Sequence, residues 1–352
     1  MLGTPVRAVR RDHSLRNIGL LKMTSTMLYA DQRWIGNHGI GRFARHVLGT
    51  LDYAPVQLRS NPAAALDSWR LARELSGLNG HDTFFSPGYN TPLFCRSPFV
   101  FTIHDLSHVY CPENSSPMIR LYYATILKRA CEKAAKILTV SEFTKKQIVE
   151  WAGVDPEKVF NVGCGVDAAY RPGAETYGLP FPYLLCVSNR KKHKNEFRLV
   201  EAFARASMDA SMRLVFTGNP DTSLMRWIEQ HKLSERVVFL GVVPETSLPS
   251  LYRGAMALVF PSLYEGFALP VVEAMACGTP VVTSNLTAIP EIAGDAALLV
   301  DPMSPENIAR AIKQVVDHQD LREQLRERGL KRAALFTWDR TCAKVREALG
   351  TI

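Results

Sequence analysis

Residues 265–278 read EGFALPVVEAMACG. Two glutamates, Glu265 and Glu273, stand with seven residues between them, and a Gly-Phe pair follows the first. The apolar run 256–260 (MALVF) precedes this stretch and the run 280–283 (PVVT) follows it. The segment therefore reads as strand, loop, helix, strand. Pro270 falls where a helix begins and Gly278 where one ends. Such a unit aims backbone N–H groups and a positive helix end at whatever lies above the sheet. Glu265 is expected in the approach loop and Glu273 in the first helical turn. An acidic residue in a first turn complements the helix dipole, which accounts for Glu273 without any function. It does not account for Glu265, which lies outside the helix beside a glycine.

Outward from this unit, apolar strands alternate with helical patterns, the signature of parallel α/β sheets. In the first half, strands are expected at 27–31, 56–58, 83–86, 99–104, 137–140 and 159–162, with helices at 41–51, 68–78, 117–135 and 142–152. Residues 165–182 are rich in Gly and Pro and poor in periodicity, and 171–182 is set as the interdomain linker. The alternation restarts with strands at 183–188, 213–217, 237–240, 257–260, 281–283 and 297–300. Helices are expected among them at 195–206, 224–232 and 305–318. The organisation is a basic leader at 1–22, a Rossmann-like domain at 23–170, the linker, a second Rossmann-like domain at 183–335, and a terminal helical segment at 336–352. In open parallel sheets, ligands bind beyond the carboxyl ends of the strands.

Composition narrows the function classes. A chain of 352 residues suggests two domains. Its 47% hydrophobic and 22% charged content is that of a soluble globular protein. No apolar run approaches the roughly 18–20 residues needed to cross a bilayer, and the N-terminus lacks a signal-peptide core. Seven scattered cysteines, with no CxxC, read as reduced thiols in a cytoplasmic protein. The nine histidines show no metal-ligand spacing, so no metal site is expected. Of the net charge of +8, the leader holds +4. That leader reads as a disordered tail, or as residues upstream of a start at Met23 or Met27; its charge would also draw it to anionic lipid. Nucleic-acid binding is not expected, because no basic stretch is interleaved with base-stacking aromatics.

Four further segments end strands. Residues 188–195 (SNRKKHKN) gather Arg190, Lys191, Lys192 and Lys194 before a helix that Asn195 can cap. Such charge suits a diphosphate leaving group, on which negative charge grows as a glycosidic bond breaks; a solvated basic loop is the alternative. Residues 101–106 (FTIHDL) end a buried-looking strand with His104 and Asp105. Residues 36–42 (GNHGIGR) form a glycine-rich turn that lets backbone approach a phosphate or sugar, or that simply turns. It is neither a Walker A motif nor a strict GxGxxG. Residues 239–244 (FLGVVP) end another strand of the second half.

The Glu-x7-Glu stretch resembles the signature of the retaining glycosyltransferase family 4, which has the GT-B fold. The resemblance runs from about Met27 to the C-terminus. It implies two Rossmann-like domains facing across a cleft, with the last helix crossing back onto the first domain. It implies catalytic roles for His104, Arg190, Lys194 and Glu265. Lys194 matches the pyrophosphate Lys. The usual Gly-Arg register falls on Ser188-Asn189, and Arg190 stands one residue later. His104 would contact the donor sugar, with Asp105 beside it, and Glu265 would lie near the sugar ring. Glu273 would accept the ribose hydroxyls, since one carboxylate can accept two donors. Gly41, Val243, Gly266, Phe267, Ala268 and Leu269 complete the implied donor site, largely through backbone. Many relatives carry Gly where Ala268 stands.

No Asp-x-Asp is present, so activation without a metal or other cofactor is expected, with same-face attack through an oxocarbenium-like state and no enzymic nucleophile. The motifs most resemble bacterial mannosyl- or rhamnosyltransferases of O-antigen and exopolysaccharide assembly. The implied partners are a nucleotide-sugar, GDP-mannose foremost, and a glycan or lipid-linked acceptor at the inner membrane face. The stretch 118–129 mixes apolar and basic residues and could lie on that membrane, or be a core helix with a snorkelling basic edge. Two other classes share the cleft: a UDP-sugar 2-epimerase, and a non-catalytic nucleotide-sugar-binding subunit. A nicotinamide-dependent Rossmann enzyme is a poorer third.

Overall fold

The computed structural model describes residues 26–64, 66–350 and 352; the basic leader at 1–22 lies outside the described residues. Two parallel six-stranded sheets organise the chain. The first holds β1 (Leu28–Ala30), β2 (Ala54–Pro55), β3 (Thr83–Ser86), β4 (Phe99–Thr102), β5 (Lys136–Thr139) and β6 (Val159–Asn161), in the order β2-β1-β3-β4-β5-β6. The second holds β7 (Tyr183–Cys186), β8 (Arg213–Phe216), β9 (Val237–Phe239), β10 (Ala257–Phe260), β11 (Val281–Ser284) and β12 (Leu298–Val300), in the order β12-β11-β10-β7-β8-β9. Strands covered by helices on both faces must be apolar throughout. That is why β4 reads FVFT and β10 reads ALVF, every residue buried.

Side chains of successive strand residues enter opposite layers. Leu258 and Phe260 of β10 join the layer of the Leu269–Ala276 helix, with Val271, Val272 and Met275. Ala257 and Val259 join the other layer, with Leu199 and Phe203 of the Glu196–Arg205 helix and Ile308 and Ile312 of the Pro305–Asp317 helix. The Trp338–Gly350 helix returns to the first domain. Trp338 stacks on His46 at 4.2 Å, and Lys136 Nζ donates to the Ala348 carbonyl at 2.7 Å.

Four local expectations are corrected. The second strand is Ala54–Pro55, not 56–58: only Val56 N still donates to the sheet, at Ala30 O, before Gln57 N turns to the Glu74 carboxylate. A two-residue edge strand tolerates Pro55, which has no N–H to pair. The expected helix at 117–135 is a Pro117–Tyr122 α-turn, a π-segment Tyr123–Leu127 and an α-segment Lys128–Lys133. The first helix opens two residues early, at Gly39, because His38 Nδ1 accepts from Gly41 N. Glu273 is the fifth residue of Leu269–Ala276 and lies past the first turn, so dipole complementation does not account for it. A further helix, Gln319–Ala333, was not anticipated. Its many charges hide a narrow stripe of Leu325, Gly329 and Ala333, and Gly329 lets it close on Met275.

Candidate active site in the interdomain cleft

The loop after β10 builds one wall. Glu265 Oε1 accepts from Lys194 Nζ at 2.5 Å and from Ser262 Oγ at 2.7 Å, while Glu265 N donates to Thr287 Oγ1 at 3.1 Å. The Lys194 ammonium also stands over the Phe260 ring, 5.1 Å from its centroid. Lys194 and Glu265 are thus joined across 71 positions of sequence, each side chain 13% exposed on the cleft. Ala268 begins the Leu269–Ala276 helix in a left-handed conformation (φ 75°, ψ 59°), a region that favours glycine. Phe267 turns its ring into the core against Phe336. Gly266, Phe267 and Ala268 therefore place backbone, not side chains, at the head of the helix.

The basic segment after β7 divides. Lys191 and Lys192 point to solvent, whereas Lys194 enters the site. Arg190 adopts φ 62° and lies over the rings of Phe216 and Phe239. Its guanidinium faces Glu196 at 3.0 Å and donates to the Thr217 carbonyl, so it is turned into the second domain, and it is Lys194 that meets Glu265. Burial raises the pKa of Glu196, against the pull of Ser188 and Arg190. Asn195 does not cap the following helix. Its backbone is left-handed where a capping residue is extended, and its amide instead ties Pro261 O (3.0 Å) to Pro302 O (2.7 Å).

The first domain forms the facing wall. A Cβ on Gly266 would sit 2.1 Å from the His104 carbonyl and 2.8 Å from Asp105 Cβ, so only glycine admits this approach. His104 Nε2 is 2.9 Å from the Pro87 carbonyl. A carbonyl only accepts, so Nε2 carries the proton and Nδ1 presents a lone pair. Burial lowers the His104 pKa against the opposing Pro87 bond and Asp105 charge, leaving the ring neutral. Burial would raise the pKa of Asp105, but the bonds from Ser107 and the nearby histidines hold it low. The walls are stitched together: Tyr264 Oη accepts from Leu106 N and donates to Gln147, and Glu291 accepts from Glu142 N (2.8 Å) and Phe143 N (2.9 Å) at a helix start of the first domain.

Glu273 is 2% exposed and held from two sides. Arg42 of the first domain donates to Oε1 at 2.6 Å and Tyr252 donates to Oε2 at 2.8 Å. Sequence reasoning named neither partner, since both meet Glu273 only through the fold. Gly41, beside Arg42, is buried; a Cβ there would lie 2.5 Å from Gly36 backbone, so Gly41 packs the turn onto its helix. Leu269 comes within 3.8 Å of the Cβ position of Gly39 across the cleft. Val243 follows β9 in the loop where Gly218 N donates to Gly241 O, half-buried beside the exposed Val242. Among the described residues, no group of three His, Cys, Asp or Glu side chains is arranged as metal ligands.

Comparison with known proteins agrees with this fold. Residues 37–170 match the family described as Glycosyltransferase Family 4, and residues 178–332 match Glycosyl transferases group 1. The chain is 33% identical over 254 residues to the O-antigen chain mannosyltransferase B of Escherichia coli, covering 68% of this chain and 67% of that protein. It is 25% identical over 289 residues to the serotype-specific mannosyltransferase WbdA of Escherichia coli, covering 76% of this chain but only 35% of WbdA. Its fold superposes on sucrose-phosphate synthase from Thermosynechococcus elongatus with a TM-score of 0.74 at 18% identity, covering 93% and 98% of the two chains. The chain belongs to glycosyltransferase family 4 and has the GT-B fold; it is a glycosyltransferase.

Proposed function

We propose that this chain is a retaining mannosyltransferase that moves mannose from a GDP-sugar to a glycan or lipid-linked acceptor in cell-surface polysaccharide assembly. The observation that carries this reading is the Lys194–Glu265 pair, with Glu265 in the loop that leads to the Leu269–Ala276 helix, next to Gly266, whose backbone meets His104 and Asp105 of the other domain. The named activities of the two Escherichia coli relatives support mannose and the O-antigen setting.

In this mechanism the donor diphosphate lies on the helix head. Lys194 and the backbone N–H groups there stabilise the negative charge that grows as the glycosidic bond breaks. Positive charge from the protein takes the part that a metal plays elsewhere, so activity is expected to persist in EDTA. Arg190 contributes only after its guanidinium leaves Glu196. His104, neutral, accepts a sugar hydroxyl on Nδ1. Glu265 steadies Lys194 and faces the sugar ring as positive charge develops on it. The acceptor hydroxyl attacks from the leaving-group side and gives its proton to the departing phosphate, and the closed walls limit hydrolysis.

The test is thermal stabilisation by GDP-, UDP-, ADP- and dTDP-sugars in EDTA, followed by transfer assays with the selected donor and NMR of the product anomer. Stabilisation by GDP-mannose and an axial product linkage are expected. A donor that inverts on transfer, or no donor that binds, would overturn the reading.

The acceptor domain also presents a face suited to anionic membrane from the cytoplasmic side. Met118 and Leu121 are more than 60% exposed, Leu93 and Phe94 lie exposed nearby, and Arg96, Arg129 and Lys133 line an adjoining cavity of about 660 Å³. Among the described residues, no helix is long and apolar enough to cross a membrane. Binding to phosphatidylglycerol vesicles but not phosphatidylcholine vesicles is expected, and Leu121→Glu should abolish it.

A further inference from the structure

Glu273 lies where three parts of the chain meet. Arg42 comes from the first helix of the first domain, Tyr252 from the Leu248–Gly254 helix of the second, and Tyr170 from the end of the first domain, just before the linker. Glu245 stands 3.6 Å from the same Arg42 nitrogen that pairs with Glu273. Tyr170 packs edge-on to Tyr252 at 5.9 Å; it is 5% exposed, and its hydroxyl has no hydrogen-bond partner among the described residues. Burial opposes the charge on Arg42, and Glu273 more than offsets it, so the guanidinium stays charged.

A carboxylate has about four lone-pair sites, two on each oxygen. Arg42 and Tyr252 occupy one on each oxygen. Among the described residues, one acceptor site on each oxygen is left unused, and a vicinal diol requires two. We propose that the ribose site is composite, with Arg42 of the acceptor domain as a positioning residue that holds the Glu273 carboxylate oriented for the two ribose hydroxyls. The inference rests on reading Glu273 as the ribose acceptor. It has a structural consequence: because the guanidinium belongs to the opposite domain, the diol meets a finished site only when the cleft is closed. It also explains why an arginine three residues from the domain-contacting Gly39 reaches across to a helix that is otherwise apolar.

The test compares GDP with 2′,3′-dideoxy-GDP by calorimetry; UDP and its dideoxy form replace them where the panel above selects uridine. The proteins are the wild type, Glu273→Gln, Arg42→Ala and Arg42→Lys, each checked for folding by circular dichroism. The wild type is expected to prefer the ribose compound by about tenfold or more. Glu273→Gln and Arg42→Ala should each lose that preference, with the ribose compound bound ~10–30-fold more weakly and the dideoxy compound within about threefold of wild type. A protein carrying both Glu273→Gln and Arg42→Ala, measured beside them, should be no worse than either single variant, because the two residues act on one contact. Arg42→Lys, which keeps a cation on the carboxylate, should retain most of the preference. Should Arg42→Ala not fold, Arg42→Gln takes its place with the same expectation.

If Glu273→Gln loses the preference while the neutral Arg42 variant keeps it, the inference is overturned and the ribose reading stands. If Glu273→Gln keeps the preference, the ribose reading fails and takes this inference with it. A neutral Arg42 variant that weakens both compounds equally would make Arg42 a purely structural residue and would also overturn the proposal.

Discussion

Arg33 and Lys194 are both cations held against carboxylates beyond the end of an interior strand, one in each domain. Their side chains are similarly enclosed, 8% and 13% exposed. Around Arg33 the donors are matched internally. Nε and NH2 reach Asp31, NH1 and NH2 reach Asp67, and NH1 also reaches Ser60. Asn90 donates to both aspartates and accepts from Ser86 and Trp34. Burial opposes the Arg33 charge, and the bonds to Asp31 and Asp67 overcome it, raising its pKa. Lys194 has one carboxylate oxygen and one ring face. An ammonium has three donors and a carboxylate about four acceptor sites, so this second pair is open to a ligand. The difference teaches that burial and charge pairing do not mark a site by themselves; the capacity left over on the cleft side does.

Removing Arg33 is the hardest break in this comparison. Arg33→Ala leaves Asp31 and Asp67 buried and uncompensated, at a cost of roughly 3–5 kcal/mol. Urea denaturation should show the loss directly, and a variant as stable as wild type would show that the cluster is no scaffold. Lys194→Ala should do the opposite. Turnover should fall ~10²–10³-fold, as for other lost charge-stabilising donors, while the melting temperature moves by only a few degrees. Equal damage to stability and turnover would erase the distinction drawn here.

Acid gives the smallest and most graded effect. Burial, with Lys194 next, pushes His193 down to about 4, and burial lowers His104 as well. Between about 6.5 and 4 the unfolded chain binds protons that the native site refuses, so stability falls as pH falls through that window. For His193 the full effect is roughly 2–4 kcal/mol, complete near pH 4. His193→Gln should flatten the profile; an unchanged slope would remove His193 as its cause.

Much of the fold was legible because its strands are buried on both faces and read as continuous apolar runs. The strand at 83–86 needed nothing beyond that, and the corrected edge strand Ala54–Pro55 failed for the converse reason, being too short and too polar in context to stand out. The Gln319–Ala333 helix escaped because its buried stripe is only one residue wide per turn. In the site, Glu265 and Lys194 announced themselves as charges at strand ends, and the structure brings them together. Arg190 was legible as a cation but not as one turned away toward Glu196, because a side chain's direction depends on a left-handed backbone and two aromatic rings distant in sequence.

The sequence by itself determined the α/β alternation, the two sheets and the order in which chemistry-bearing loops follow strands. Those properties arise from local periodicity and from residues a few positions apart. Only the tertiary structure decided which charges face each other. The meeting of Glu273 with Arg42 joins residues 231 positions apart, and Gly266 touches His104 because two domains close on a surface without side-chain bulk. Such contacts follow from how the domains pack, a global free-energy balance that no local pattern encodes.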